Sequence, residues 1–226
     1  QTIGKFKPNA ENNILVGAAP IDIVNSYIAS IKSAGLIPLA LEIEAAAITR
    51  SIFPLFPQNV ESKIILDLGA NRSSLIVYEN NTIQFTMSLP IAGDEITQNI
   101  SEKLKLDYKK AEEAKIVCGL DEEKCSGALK KILTTNLNFI IKKIEEAIYF
   151  YQETSTEKNV KKILLTGGGS QLIGLNQILQ NRFQIPVEIS NPLQNIYKTE
   201  KAANISKKKI QSFSTAIGLA LRGSME

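Results

Sequence analysis

The chain has 226 residues, 44% of them hydrophobic, with 26 basic against 23 acidic side chains and no histidine. That length suffices for one large domain or two small ones, and the hydrophobic share for a sizeable core. The net charge of +3, with basic residues scattered apart from Lys161-Lys162 and Lys207-Lys208-Lys209, lacks the one-sided bias of a nucleic-acid binder, and the missing histidine excludes a His triad, a His metal site and a His general base.

No apolar run approaches the roughly 18 residues of a membrane span, and no signal peptide is visible, although the chain starts at Gln1. Cys118 and Cys125 lack a zinc-like spacing and read as two ordinary thiols of a reducing cytoplasm. The two lysine clusters read as solvated flanks of apolar elements.

In chain order, residues 1–13 are polar and loose. Ile14 to Ala18 reads as a strand, and Pro20 opens a helix to about Ala34 with Ile21, Val24, Tyr27, Ile28 and Ile31 at helical spacing. Gly35 stops it, and Ile37 to Leu41 gives a second strand, completing a β-α-β piece. A helix from about Glu42 to Ile52 ends at Pro54-Leu-Phe-Pro57.

Ile64 to Leu68 is almost wholly apolar, the pattern of a strand covered on both faces. It starts a three-strand meander with Ser73–Tyr78 and Thr82–Ser88, turning at Asn80-Asn81, since Asn tolerates positive φ. Helices follow from Gly93 to about Leu104, from an Asp107 cap to near Gly119, and from about Glu122 to Gln152. Lys162–Thr166 is a strand running into Gly167-Gly168-Gly169-Ser170 and a helix over about Leu172–Phe183. Val187–Ile189 is a short strand, 191–209 a polar loop, and Phe213–Leu221 a final helix rich in small residues.

Two stretches carry candidate chemistry. Asp67 interrupts the buried strand just before a turn containing Gly69, Asn71, Ser73 and Ser74. A carboxylate there can hold hydrated Mg²⁺ against a phosphate, because Mg²⁺ prefers one or two carboxylates plus waters and phosphate oxygens. The alternative is an Asp that caps its own turn. Strand, triple glycine, then helix at Thr166–Ser170 presents backbone N–H groups to an anion or an adenosine. It is neither a P-loop nor a full dinucleotide fingerprint, since no Gly-Lys-Ser/Thr follows and Leu172 stands at the third glycine position. Its alternative is a flexible turn and helix cap.

Together these stretches resemble the nucleotide-binding half of the actin/Hsp70-like (ribonuclease H-like) fold. Glu44-Ala45-Ala46-Ala47-Ile48 and Phe213 to Ala220 resemble that superfamily's two connecting helices. Leu66-Asp-Leu-Gly-Ala70, Gly93-Asp-Glu-Ile-Thr97, Ala111-Glu-Glu-Ala-Lys115 and Leu165-Thr-Gly-Gly-Gly-Ser170 with Leu175 resemble the PilM family of type IV pilus assembly, relatives of FtsA.

The resemblance implies an α/β chain that begins inside subdomain 1C. Residues 1–41 would belong to 1C, 42–57 and 210–226 would be connecting helices of 1A, and 58–209 the second lobe (2A/2B). It implies ATP and Mg²⁺ as cofactors. Asp67 would orient Mg²⁺ through water, Gly69, Asn71 and Ser73 would line the second phosphate loop, and Gly93 would approach the phosphates. Glu112 and Lys115 would flank ribose and adenine, Gly167, Gly168, Gly169 and Ser170 would hold the adenosine, and Glu44 would sit near the attacking water. On the residues alone, Glu44 also fits a helix-start carboxylate and Glu112 with Lys115 a surface i,i+3 pair.

Two positions depart from the family pattern: no Asp-x-Gly hairpin precedes Ile14, and Ala92 replaces a frequent glycine. The implied activity is at most a weak ATPase. The implied role is a nucleotide-binding cytoplasmic scaffold of the pilus inner-membrane platform, with the N-terminal cytoplasmic segment of PilN as partner and no nucleic acid. An FtsA-like cell-division protein and a small-molecule kinase of the same fold are the alternatives.

Overall fold

The computed structural model describes residues 2–3, 13–14, 16–54, 61–155, 159–196 and 206–223. Its centre is a mixed five-stranded sheet in the order β5-β4-β3-β6-β7. The strands β3 (Lys63–Leu68), β4 (Ser73–Glu79) and β5 (Thr82–Leu89) form an antiparallel meander, and β6 (Lys162–Thr166) and β7 (Val187–Ile189) extend it in parallel on the β3 side. The turn between β4 and β5 is made by Asn80 and Asn81 at φ 49° and 64°, as the sequence indicated.

The unbroken apolar run of β3 is explained by helices on both faces. On one face Ile64, Leu66 and Leu68 join a core with Ile100, Ala111, Leu133, Ile144 and Leu175. These come from α3 (Gly93–Leu104), α4 (Tyr108–Cys118), α5 (Ala128–Thr154) and α6 (Leu175–Phe183). On the other face Ile65, Ile76 and Leu164 pack against Ala45, Ile48 and Ile52 of α2 (Glu44–Ile52). Phe53 closes that layer by stacking on Tyr78, ring centroids 4.2 Å apart. Each such aliphatic side chain contributes about 1.5–3 kcal/mol by leaving water.

Asp107 caps α4 as expected, accepting a hydrogen bond from Lys110 N at 2.9 Å. Four expectations need correction. Ile14–Ala18 and Ile37–Leu41 do not form a β-α-β piece with the helix between them: among the described residues Asn13–Ile14 (β2) pairs with Thr2–Ile3 (β1), and residues 36–43 form no strand. The helix α1 (Ile21–Ser33) buries no residue, so its apolar spacing has no sheet beneath it among the described residues. The helix expected from Glu122 starts at Ala128, because Cys125, Ser126 and Gly127 all have positive φ. The helix expected from Leu172 starts at Leu175, after Gly174 at φ 84°. Cys118 and Cys125, read as free thiols, are joined in a disulfide with Cα atoms 5.9 Å apart, so they lend no support to a reducing compartment.

Within the stretch expected as loop, Lys207–Ile210 forms a short helix, α7. The last helix, α8 (Ser214–Gly223), lies across α2. Glu42 accepts from Arg50 at 2.6 and 2.7 Å and from Arg222 at 2.7 Å, and Arg50 also donates to the carbonyl of Gly218 at 2.8 Å. The Arg50 hydrogen bonds, reinforced by Arg222, hold the Glu42 carboxyl below its usual range. A lowered folded pKa means the group stabilises the protein above its ordinary value of 4.5, and that contribution is lost as pH falls through the folded pKa. Replacing Glu42 with glutamine costs about 2 kcal/mol at pH 7, since it takes the carboxylate from the largely buried Arg50 guanidinium. The loss, read by urea denaturation, shrinks towards pH 3.

Candidate functional site

The carboxyl ends of β3 and β6 lie side by side, with Asp67 opposite Thr166. Both strands stop in turns that face a common cleft of about 640 Å³. Its wall contains Glu44, Asp67, Gly69, Asn71, Gly93, Glu112, Lys115, Gly167, Gly168 and Gly169. These ten positions, scattered over more than half of the chain, are thus brought to one place. Ser73 and Ser170 stand behind the wall. Ser73 pairs with Leu68 at the start of β4, buried. Ser170 is 2% exposed and donates to Gly167 O at 2.7 Å, closing its own turn.

The hairpin turn is closed by Gly69 N donating to Arg72 O at 3.0 Å, and the Asp67 carboxylate accepts no hydrogen bond among the described residues. The turn-capping alternative for Asp67 therefore does not hold. Burial, and secondarily the Glu44 carboxylate, push the Asp67 carboxyl up to about 7. A buried acid with no donor is poised for a cation that would supply the missing charge. Gly167 permits the closeness of the two turns. Its φ is 78°, and a Cβ there would sit 2.5 Å from Leu68 O and 2.6 Å from Asp67 Oδ1.

The hairpin is tied to α3 by Gly93 N donating to Gly69 O at 3.0 Å and Asp94 N to Ala70 O at 2.9 Å. Behind it lies a buried knot. Lys115 Nζ donates to Gly93 O at 2.9 Å and to Thr97 Oγ1 at 2.6 Å, and pairs with Glu112 at 2.6 Å. Thr97, fully buried, also hydrogen-bonds Gly93 O at 2.9 Å and Glu112 Oε2. Lys115 is only 15% exposed, so this is not a solvated helix pair, and its ammonium group is held by two hydrogen bonds and an ion pair. Glu112 keeps Oε1 uncommitted among the described residues. Thr97→Val removes the shared hydroxyl and costs about 1–3 kcal/mol, measured by urea denaturation, while Thr97→Ser costs less.

Several wall residues were not singled out from the sequence: Arg72, Asp94, Lys209, Gln211 and Ser212. Arg72 and Asp94 lie inside stretches already marked by Asp67 and Gly93, so adjacency could have found them. Thr97 could have been found as the end of Gly93-Asp-Glu-Ile-Thr97. Lys209 was read as a solvated flank, and no local signal places it on the cleft. Gln211 also braces the wall, donating to Ser190 O at 2.6 Å, while Ser214 and Thr166 hydroxyls meet at 2.7 Å and anchor the last helix to β6.

A mixed sheet whose two central strand ends open into one glycine-lined cleft, flanked by a helix pair, defines an α/β protein of the actin-like fold. Among solved structures, the PilM-PilN type IV pilus biogenesis complex superposes with a TM-score of 0.72 at 24% identity, covering 88% of this chain and 57% of that one. MreB5 of Spiroplasma citri bound to ADP superposes with a TM-score of 0.67 at 17% identity, covering 92% and 67%. The chain belongs to the family of type IV pilus assembly protein PilM, whose model matches residues 1–224. Its curated relatives include the cell division protein FtsA of Buchnera aphidicola subsp. Baizongia pistaciae, 28% identical over 70% of this chain and 44% of the relative. FtsA of Escherichia coli K12 is 25% identical over 69% and 42%. The chain thus spans less than half the length of these relatives. Among the described residues no helix is long and apolar enough to cross a membrane.

Proposed function

We propose that this chain forms the nucleotide-binding lobe of a cytoplasmic ATP-binding scaffold for type IV pilus assembly. The scaffold would sit at the inner face of the cytoplasmic membrane through its partners. The carrying observation is the buried, donor-free Asp67 carboxylate at the meeting point of the Gly69 and Gly167 turns. Asp67 would hold Mg²⁺ through water, and the ion would supply the positive charge that phosphates and carboxylate both need. Gly69, Asn71 and Gly93 would face the phosphates, Gly167, Gly168 and Gly169 the adenosine, and Glu112 the ribose. We assign 58–209 to the second lobe, 42–57 and 210–226 to connecting helices, and 1–41 to subdomain 1C. This is supported by a core confined to α2, the sheet and its helices, with α1 outside it.

Glu44 receives a hydrogen bond from Thr215 at 3.2 Å, which fits a cleft-edge carboxylate as well as a water-positioning one. The reading is therefore a nucleotide-responsive scaffold with at most weak hydrolysis. Its partner would be the N-terminal cytoplasmic segment of PilN, by analogy with the solved PilM-PilN complex. Calorimetric titration with Mg-ATP tests the site: binding that Asp67→Ala weakens supports it, and no binding to the unaltered protein sinks it. A pull-down of the full-length protein with a PilN tail peptide, with and without Mg-ATP, tests the role. The likeness to FtsA favours one further reading, a cell-division scaffold that polymerises. Light scattering that rises on adding Mg-ATP would favour it.

A further inference from the structure

We propose that Arg72 reads the terminal phosphate of a nucleoside triphosphate, so that the cleft separates tri- from diphosphates; this rests on the nucleotide reading above. Arg72 ends the β3–β4 turn, its position fixed by the Gly69 N to Arg72 O hydrogen bond of 3.0 Å, and it lines the cleft on the side of Asp67 and Gly93. Three cations line the cleft: Arg72, Lys115 and Lys209. Lys115 is consumed by Gly93 O, Thr97 and Glu112. Arg72 makes no side-chain hydrogen bond or ion pair among the described residues.

Ile116 and Leu172 give the cleft's lining an apolar part, suited to a base. Lys209 belongs to α7, which runs into the segment where Ser212 Oγ would lie 3.2 Å from a Cβ on Gly168. It therefore stands with the glycine turn, and Arg72 is the uncommitted cation of the hairpin end. That end holds Asp67, with Glu44 near enough to raise its pKa, so a polyphosphate needs more than one counter-charge there. A divalent ion at Asp67 can bridge phosphates but cannot by itself count them. A guanidinium on the turn supplies a planar, permanently charged fork that matches one phosphate group. A diphosphate leaves that fork in water.

The test is titration of Mg-ATP and Mg-ADP into the protein, Arg72→Ala and Arg72→Lys. The unaltered protein should prefer ATP by about tenfold, as expected for one charge-assisted contact. Arg72→Ala should bring the ratio near one through loss of ATP affinity alone, with ADP changed less than about twofold. Arg72→Lys should keep part of the preference. Because Arg72 is exposed and unpaired among the described residues, thermal unfolding should not move. A preference unchanged in Arg72→Ala, or equal weakening of both nucleotides, overturns the inference and leaves the nucleotide reading intact. Failure of the unaltered protein to bind either nucleotide overturns both.

Discussion

Replacing Gly218 with alanine lowers stability by about 2 kcal/mol or more, and replacing it with valine prevents α8 from seating on α2 at all. A Cβ built on Gly218 lies 1.8 Å from Ala47 O, 2.4 Å from Ala47 C and 2.9 Å from Ala47 Cα. The obstruction is backbone, which cannot rotate aside as a side chain would. Two effects oppose each other. Alanine is the better helix former, by about 1 kcal/mol. Overpacking costs about 1–3 kcal/mol and more where the backbone must move. Here the helices must part, loosening the hydrogen bond from Arg50 to Gly218 O and its link to Glu42, so overpacking wins. Gly223 on the same helix provides the control, since a Cβ there meets nothing within 4 Å. Urea denaturation of both variants decides the matter. Equal behaviour of Gly218→Ala and Gly223→Ala would show that the close crossing does not exist.

Asp67→Asn produces the opposite combination, a more stable protein that no longer binds Mg-nucleotide. The carboxyl is raised from 3.8 to about 7, chiefly by burial and then by Glu44. For an acid raised on folding, the folded state holds the proton more tightly. Stability is then greatest below about pH 4, falls as pH rises towards 7, and levels off above. The gap corresponds to about 4 kcal/mol at most, reduced by the cleft's access to water. Asparagine removes this slope, so the variant should gain stability at pH 8 and almost none at pH 4. A bound divalent ion inverts the preference by favouring the charged carboxylate. Mg-nucleotide affinity should therefore rise with pH up to about 7, and binding below that pH should release a proton. Denaturation midpoints across pH and calorimetry in buffers of different ionisation heat measure both halves. A pH slope that survives in Asp67→Asn would assign it to another group.

The parts of the fold legible in the sequence were those dictated by local rules. The two-sided apolar run of β3, the Asn80-Asn81 turn and the Asp107 cap each follow from residue chemistry over a few positions. Ile37–Leu41 has the pattern of a strand but no described neighbour to pair with, and pattern alone cannot supply a partner. The late start of α5 was hidden because Cys125 and Ser126 adopt positive φ without being glycine. For the site, the turns at Asp67 and Gly167 were readable because each stands at the end of an apolar strand. The knot around Thr97 was not, because a threonine joining a lysine from another helix leaves no trace in spacing. Lys209 reaches the cleft only through the path of the chain after Ser206.

The crossing of α2 and α8 also dictates an order of assembly. Arg50 and Gly218 are 168 positions apart in sequence. During synthesis α2 emerges well before α8, and its sheet-facing side can be covered once the meander is complete. Its other side, with Ala47 at the crossing, stays bare until Gly218 and the rest of α8 have been made. The parallel pairing of β3 with β6 likewise waits for a distant segment. Such long-range closures make folding slow and leave adhesive surface exposed meanwhile. Glu44 is seated by this late crossing, so the cleft matures only once α8 has emerged. A nascent chain released early would present the Asp67 hairpin without the helix that walls it.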